Sequence, residues 1–376
     1  MRSLLLSLCF CILFLSCNTK VSYESGDVIE LDLEKNLVFS NKGYLKPQDL
    51  RMVLLDDKNP EAFFSNAGIL DVVGDTILLL DNDFIPTKIL MFNLKDGNYL
   101  GQINHQGEGP GEYRLIFGAF ADASQQSVLI PDIDRPYVYN YSLKRDSLLH
   151  VYERENISLR LQPIGNVKTS INIGEINNEG LKIIQYNSKF EKIDSILLKG
   201  FQGVPFITMW TQSGINGIIF KEDTVSVIAR GQLRPMVSLN MGKYELKEKE
   251  AVETLERMIE SSEPDSELLK NLSNYIILKD VQFTDENILL TYDFDNKKYS
   301  DLYDLRNGKI LNRFEGDKTT PNIIFLEMAD GHALKAERIF TKDNVWYGIA
   351  DESETGKVMK TDPGNSQSMI VIFKIQ

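Results

Sequence analysis

The residues of this chain best placed to do chemistry are carboxylates at the ends of β-type runs. Asp81 and Asp83 follow the apolar run Thr76–Leu80, Asp132 and Asp134 follow Ser127–Pro131, and Asp293 and Asp295 follow a third such run. Calcium takes oxygen ligands only, so Asp81, Asp83, Asp132 and Asp134 converging from separate strands would form a Ca2+ site. A competing reading makes each aspartate a turn cap, bonded to nearby backbone N–H groups; recurrence at one place in a repeat fits both. A carboxylate-based glycosidase would need two such groups facing each other across about 5 to 10 Å.

Other chemistries find less support. The three histidines, His105, His150 and His332, show no paired metal-ligand spacing, which argues against a zinc site. His105 stands just before a glycine-rich stretch, and with Glu112, Asp132 and Asp134 it forms the candidate ligand-binding set. No G-x-S-x-G elbow appears, so an α/β-hydrolase nucleophile has no basis. Trp210, Trp346, Tyr137, Tyr139 and Tyr141 could stack on sugars or peptides. The alternation of Tyr139 and Tyr141 with Val138 and Asn140 is how one sheet face is built, so core packing is the default.

The N-terminus carries a different signal. Arg2 precedes an uncharged run from Leu4 to Leu15, followed by Ser16 and Cys17. That run is short of the ~20 apolar residues a spanning helix needs, and it has the order of a secretory signal. Phe14-Leu15-Ser16-Cys17 resembles the bacterial lipobox, which implies a lipid on Cys17 and removal of residues 1–16. Cys9 and Cys11 lie inside that segment, so no cysteine would remain for an internal disulfide or a thiol nucleophile. Residues 17–27 then serve as a polar tether. The net charge of −13 disfavours nucleic acid and anionic lipid headgroups as partners. Lipoproteins of the kind this segment resembles often carry an acidic cluster after the cysteine when destined for the cell surface; none follows Cys17, so the resemblance implies the periplasmic face of the outer membrane.

The candidate residues must be positioned by strands. A β-rich run, an acidic or polar turn and a second β-rich run recur along the chain. The clearest copies are Asp75–Ile103 and Gln126–Tyr152, and weaker ones follow to the C-terminus. The spacing of roughly 40 to 60 residues is that of propeller blades. The expected fold is therefore all-β, a six-bladed β-propeller over residues 28–376, although the weak middle repeats also allow seven blades. The alternating runs Val28–Glu34 and Met369–Ile375 are expected to share one blade and close the ring. Residues 245–272, rich in Glu, Lys and Leu, predict a helical insertion, with Val252, Leu255, Met258 and Ile259 on one apolar face. Pro264 breaks it in two. It would either cover one mouth of the propeller or pack outside a blade.

The stretch Gly107-Glu108-Gly109-Pro110-Gly111-Glu112-Tyr113 resembles a G-x-G-P-G-E-[YF] turn of six-bladed, TolB-like β-propeller lipoproteins of Bacteroidetes. Arg234–Glu250 and the C-terminal run are similar to further stretches of that family. The resemblance implies the fold and an envelope location, and no reaction. Physically, three glycines in five residues permit positive φ, and Pro110 fixes one φ between them. Such a turn can form an anion-binding nest of N–H groups, but no Lys-Ser or Lys-Thr follows and Glu112 would repel an anion. A tight crossover with Tyr113 packed inward is the favoured reading. Two functions remain open: a non-catalytic binding or scaffolding module with a protein or glycan partner, or a calcium-assisted hydrolase or carbohydrate-active enzyme with its carboxylates in the propeller channel.

Overall fold

The computed structural model describes residues 28–39, 43–56, 58–64, 66–81, 88–114, 116, 119–132, 135–153, 161–163, 170–177, 180–187, 189–199, 208–213, 216–221, 223–229, 232–247, 249–250, 253–254, 257, 270–350, 354 and 368–375. Cys17, Asp83 and Asp134 lie outside them, as do the tether and most of the predicted helical insertion. Of that insertion, residues 245–247, 249–250, 253–254, 257 and 270–272 are described; 245–247 are not helical and the others are. No helix among the described residues is long and apolar enough to cross a membrane.

The described chain is all-β. Two strands come first, β1 (Ile29–Asp32) and β2 (Gln48–Leu54). Sheet one follows, built from β3 (Ala67–Val73), β4 (Thr76–Asp81), β5 (Ile89–Asn93) and β6 (Tyr99–Ile103). Sheet two contains β7 (Phe120–Asp122), β8 (Ser127–Pro131), β9 (Tyr137–Ser142) and β10 (Leu148–Glu153). Sheet three has β11 (Leu161–Pro163), β12 (Ser170–Asn177), β13 (Gly180–Tyr186) and β14 (Lys192–Lys199). Sheet four has β15 (Thr208–Ser213), β16 (Asn216–Lys221), β17 (Thr224–Ala229) and β18 (Gln232–Asn240). Sheet five has β19 (Ile277–Phe283), β20 (Asn287–Phe294), β21 (Lys297–Asp304) and β22 (Lys309–Asp317). Sheet six has β23 (Ile323–Glu327), β24 (Ala333–Lys342), β25 (Val345–Ala350) and β26 (Met369–Lys374).

The four strands named for each sheet pair in chain order and antiparallel, so each set of four is a meander made by local turns, and only β1 and β2 join their sheets from a distance. Turn chemistry fits that pattern. Asp295 and Asn296 have φ of 50° and 61°, and Asp343 and Asn344 repeat this at 51° and 61°. Two successive positive φ angles make the hairpin turn whose twist matches its strands, and Asp and Asn tolerate it best after glycine.

Consecutive sheets share apolar cores. Leu78, Ile89 and Met91 of sheet one meet Val128, Ile130 and Tyr139 of sheet two, and Leu129 and Val138 meet Ile184 and Tyr186 of sheet three. Val225 and Val237 of sheet four pack with Val281, Leu290 and Tyr292 of sheet five. Leu302 and Phe314 then face Leu334 and Val371 of sheet six. Finally Ile349 and Ile370 of sheet six pack on Ile77, Leu79 and Phe92 of sheet one. The strand contacts follow the same order: β3 lies against β7, β7 against β11, β11 against β16, β15 against β19, β19 against β24, and β24 and β25 against β3.

The N-terminal segment departs from expectation. Met369–Lys374 does receive an N-terminal partner, but that partner is β2, antiparallel, with Met52 opposite Val371. β1, within the run expected to fill that place, instead adds parallel to β18 of sheet four, with Ile29 opposite Val237 and Asp32 opposite Asn240. Both runs alternate, so their patterns alone could not assign them. The chain between them is strapped to β22 of sheet five at two points: Arg313 Nη1 donates to the Leu37 carbonyl at 3.0 Å and Asn312 Nδ2 to that of Gly43 at 2.7 Å. Leu45 then bridges to Leu326 of β23.

Candidate functional site

The antiparallel meander puts the second-to-third-strand turns and the sheet-to-sheet connections at one end of sheets one, two and five. Contacts between them confirm the placement. The Arg114 N–H approaches Asp132 Oδ2 at 3.4 Å, and the Asp295 N–H donates to the Ser273 carbonyl at 2.7 Å. This end carries the glycine turn, the recurring aspartates and the helical insertion, and it is the candidate site.

Asp81 is the last residue of β4, Asp132 the first past β8, and Asp293 the last but one of β20. Each meets a cation of its own sheet. Asp81 pairs with Lys88 at 3.3 Å, Asp132 with Arg135 at 2.8 Å, and Asp293 with Lys279 at 3.5 Å. Among the described residues no group of three His, Cys, Asp or Glu side chains is close enough to hold a metal ion.

His105, Glu112 and Asp132 are brought together, in one network around the glycine turn. Glu112 folds back into the turn, its Oε2 accepting the Gly109 N–H at 2.7 Å. A Cβ on Gly107 would overlap that carboxylate, which explains why glycine is needed there. The nest is therefore filled by the protein's own anion. Arg135 spans the network, its Nε at 2.9 Å from Asp132 Oδ2 and its guanidinium also donating to the Glu112 carbonyl. Tyr113 is fully buried; its hydroxyl accepts the His105 N–H at 3.1 Å, and burial pushes the phenol well above its ordinary pKa. The His105 ring stacks on Tyr141, centroids 4.8 Å apart and planes 2° from parallel, while its Nε2 meets Asp146 Oδ1 at 2.8 Å. The Tyr141 hydroxyl donates to the Gly111 carbonyl. The turn thus pins the sheet-one strands to sheet two, and its charged groups are spent on one another.

Losing the Glu112 carboxylate removes a charge-assisted bond, worth about 1.5–3 kcal/mol. Glu112→Ala is expected to lower the thermal midpoint accordingly and Glu112→Gln to lower it less. A Glu112→Ala protein as stable as the parent would show that the carboxylate does not hold the turn.

Sequence reasoning missed two charged pairs. Asp71 of β3 is buried and takes Lys342 Nζ of β24 at 2.6 Å, joining sheets one and six. Burial raises the Asp71 pKa against the pull of the lysine. In sheet five, Arg313 grips Asp301 with two parallel bonds of 2.7 and 2.6 Å, and both side chains are buried. Burial opposes the guanidinium charge, but Asp301 outweighs it and holds Arg313 above its usual range. Tyr292 completes the cluster, its hydroxyl at 2.8 Å from Asp301 Oδ2. The available signal was register, since Asp301 and Arg313 stand directly opposite on neighbouring strands. Of the candidate aromatics, Trp346, Tyr139 and Tyr141 are buried and behave as core, Tyr137 is half-buried, and the Trp210 side chain lies outside the described residues.

Two solved structures resemble this architecture. A Bacteroides fragilis protein described as exported superposes with a TM-score of 0.65 at 16% identity, covering 93% of this chain and 100% of its own. A member of the DUF4221 family from Bacteroides vulgatus gives a TM-score of 0.54 at 9% identity, covering 89% of this chain and 98% of its own. At these identities the likeness shows the fold alone. No curated protein matches the chain. Residues 48–369, from the first residue of β2 to the first of β26, match one family over most of the chain, and the protein therefore belongs to the family described as domain of unknown function DUF4934.

Proposed function

We propose that the six sheets are the blades of a closed propeller, held outside the cytoplasm by a lipid on Cys17, and that it is a non-catalytic binding or scaffolding module. The order of sheet contacts supports closure, as does β2 completing the last sheet. The exported relative and the lipobox-like Phe14–Cys17 support the location. The observation that carries the functional reading is local neutralisation: Asp81, Asp132 and Asp293, the acids a channel hydrolase would use, each face a cation of their own sheet. What this end of the ring offers instead is a rim of loops on rigid sheets, the arrangement that suits recognition of a protein or glycan.

A photo-crosslinking amino acid at Asp295 tests the reading, with the same group at Asn98, in the turn between β5 and β6, as its counterpart. Adducts in cells are expected from position 295 and not from 98. Equal labelling at both would remove the case for a recognition face. The anchor has its own test. Cys17→Ser should move the protein from the membrane fraction to the soluble one, and a variant still in the membrane fraction would rule out lipid on Cys17. Eleven tether residues, 17–27, reach at most about 40 Å, which keeps β1 close to that membrane.

A further inference from the structure

Described residues between β18 and β19 line a cleft of about 210 Å³ beside the β20–β21 turn. One wall presents Glu250, Glu253 and Arg257, spaced three and four apart so that they share a helix face. Asn271, Asn274 and Tyr275, just before β19 begins, also line the cleft. Leu246 and Leu272 supply the apolar part of the lining.

The side chains on these walls are mostly planar groups with paired donors or acceptors: carboxylates, a guanidinium and carboxamides. Such groups span neighbouring hydroxyls two at a time. Two carboxylates against one guanidinium make the cleft hostile to phosphate or another anion. Nor do the carboxylates form a bare receptor for an ammonium group. Glu250 is engaged by the Tyr275 hydroxyl, whose pKa burial and Glu250 both raise, and Glu253 faces Lys249 at 3.9 Å. Both keep lone pairs for neutral O–H donors. A volume below the ~300 Å³ floor of drug-sized pockets admits one ring and little more.

The geometry points to a site for a single neutral, hexose-sized sugar ring, either free or at the end of a glycan. This rests on the binding reading above and names the ligand class for one part of that loop face. The experiment uses the mature protein and saturation-transfer NMR with glucose, galactose, mannose and N-acetylglucosamine, and with disaccharides ending in each. At least one ring is expected to bind saturably. Asn274→Ala, on the exposed rim of the cleft, should weaken it roughly tenfold for the loss of its hydrogen bonds, whereas Asn98→Ala should leave it unchanged. A disaccharide binding as well as its terminal sugar identifies a glycan end, and binding of the free sugar alone identifies a soluble ligand; either supports the site. No transfer to any sugar overturns the proposal, as does binding that Asn274→Ala and Glu253→Gln both leave intact. Failure here with position-295 adducts still present would sink the sugar site while leaving the recognition face standing.

Discussion

Arg313→Leu is expected to lower the unfolding free energy by about 3–5 kcal/mol, because it leaves the fully buried Asp301 carboxylate without its cation. Desolvation is already suffered by both ions in the native protein, and only their mutual attraction and hydrogen bonds offset it. Arg313→Lys should fall between, since an ammonium keeps the charge but not the two-pronged grip. Replacing both partners with leucine should recover much of the loss, since two apolar side chains of similar size carry no desolvation penalty. Urea unfolding measures all three. The Arg313 variants should also speed hydrogen exchange in residues 37–45, as the Leu37 carbonyl loses its donor. A cost below about 1 kcal/mol for Arg313→Leu would mean the pair contributes no more than a surface ion pair.

The second large effect lies at the seam between sheets six and one. Gly97, in the β5–β6 turn, has φ of +75°, and a Cβ there would overlap the Leu54 carbonyl at the end of β2. Its own carbonyl accepts the Asp56 N–H at 2.9 Å, and Arg51 of β2 donates to the neighbouring Leu94 carbonyl. Gly97→Ala therefore combines a left-handed backbone cost with displacement of a packed main chain, together about 2–5 kcal/mol. Gly74→Ala is the matched comparison. That residue has φ of +59° with nothing within 4 Å of the added carbon, so it should show only the backbone cost, about 1–2 kcal/mol. Equal losses at the two positions would refute the claim that close approach at Gly97 holds the seam.

The strands were legible because each set of four is a local meander. An apolar run, an acidic turn and an alternating run predict a hairpin wherever the turn residues suit it, and Thr76–Asp81 with Ile89–Asn93 is such a case. What joins distant parts was not legible. Val28–Glu34 and Gln48–Leu54 both carry alternation, and only the packing of sheets four and six decides which edge each one joins. Charged partners were hidden for a related reason. Arg313 in an alternating strand has the pattern of a solvent-facing residue, and it is buried because the strap from residue 37 lies over it. At the candidate site His105, Glu112 and Asp132, expected to bind a ligand together with Asp134, lie in one network around the glycine turn. Their work in fastening the turn depends on Arg135, Tyr141 and Asp146, whose side-chain directions no periodicity encodes.

The strap has a mechanical consequence. If the chain is tethered through its N-terminus, any tug from the membrane arrives first at β1, which is held to β18 by four residue pairs. The next fastenings are Leu33, buried in the core of sheets four and five, and the Arg313 clasp at Leu37, and only beyond them comes β2, seated against β26. Slipping β1 and freeing Leu33 would pay out the nine residues from Ile29 to Leu37, roughly 30 Å of extra reach, while every four-stranded meander stayed intact. The edge strand of sheet four would then act as a fuse, yielding under tension before the six meanders are loaded.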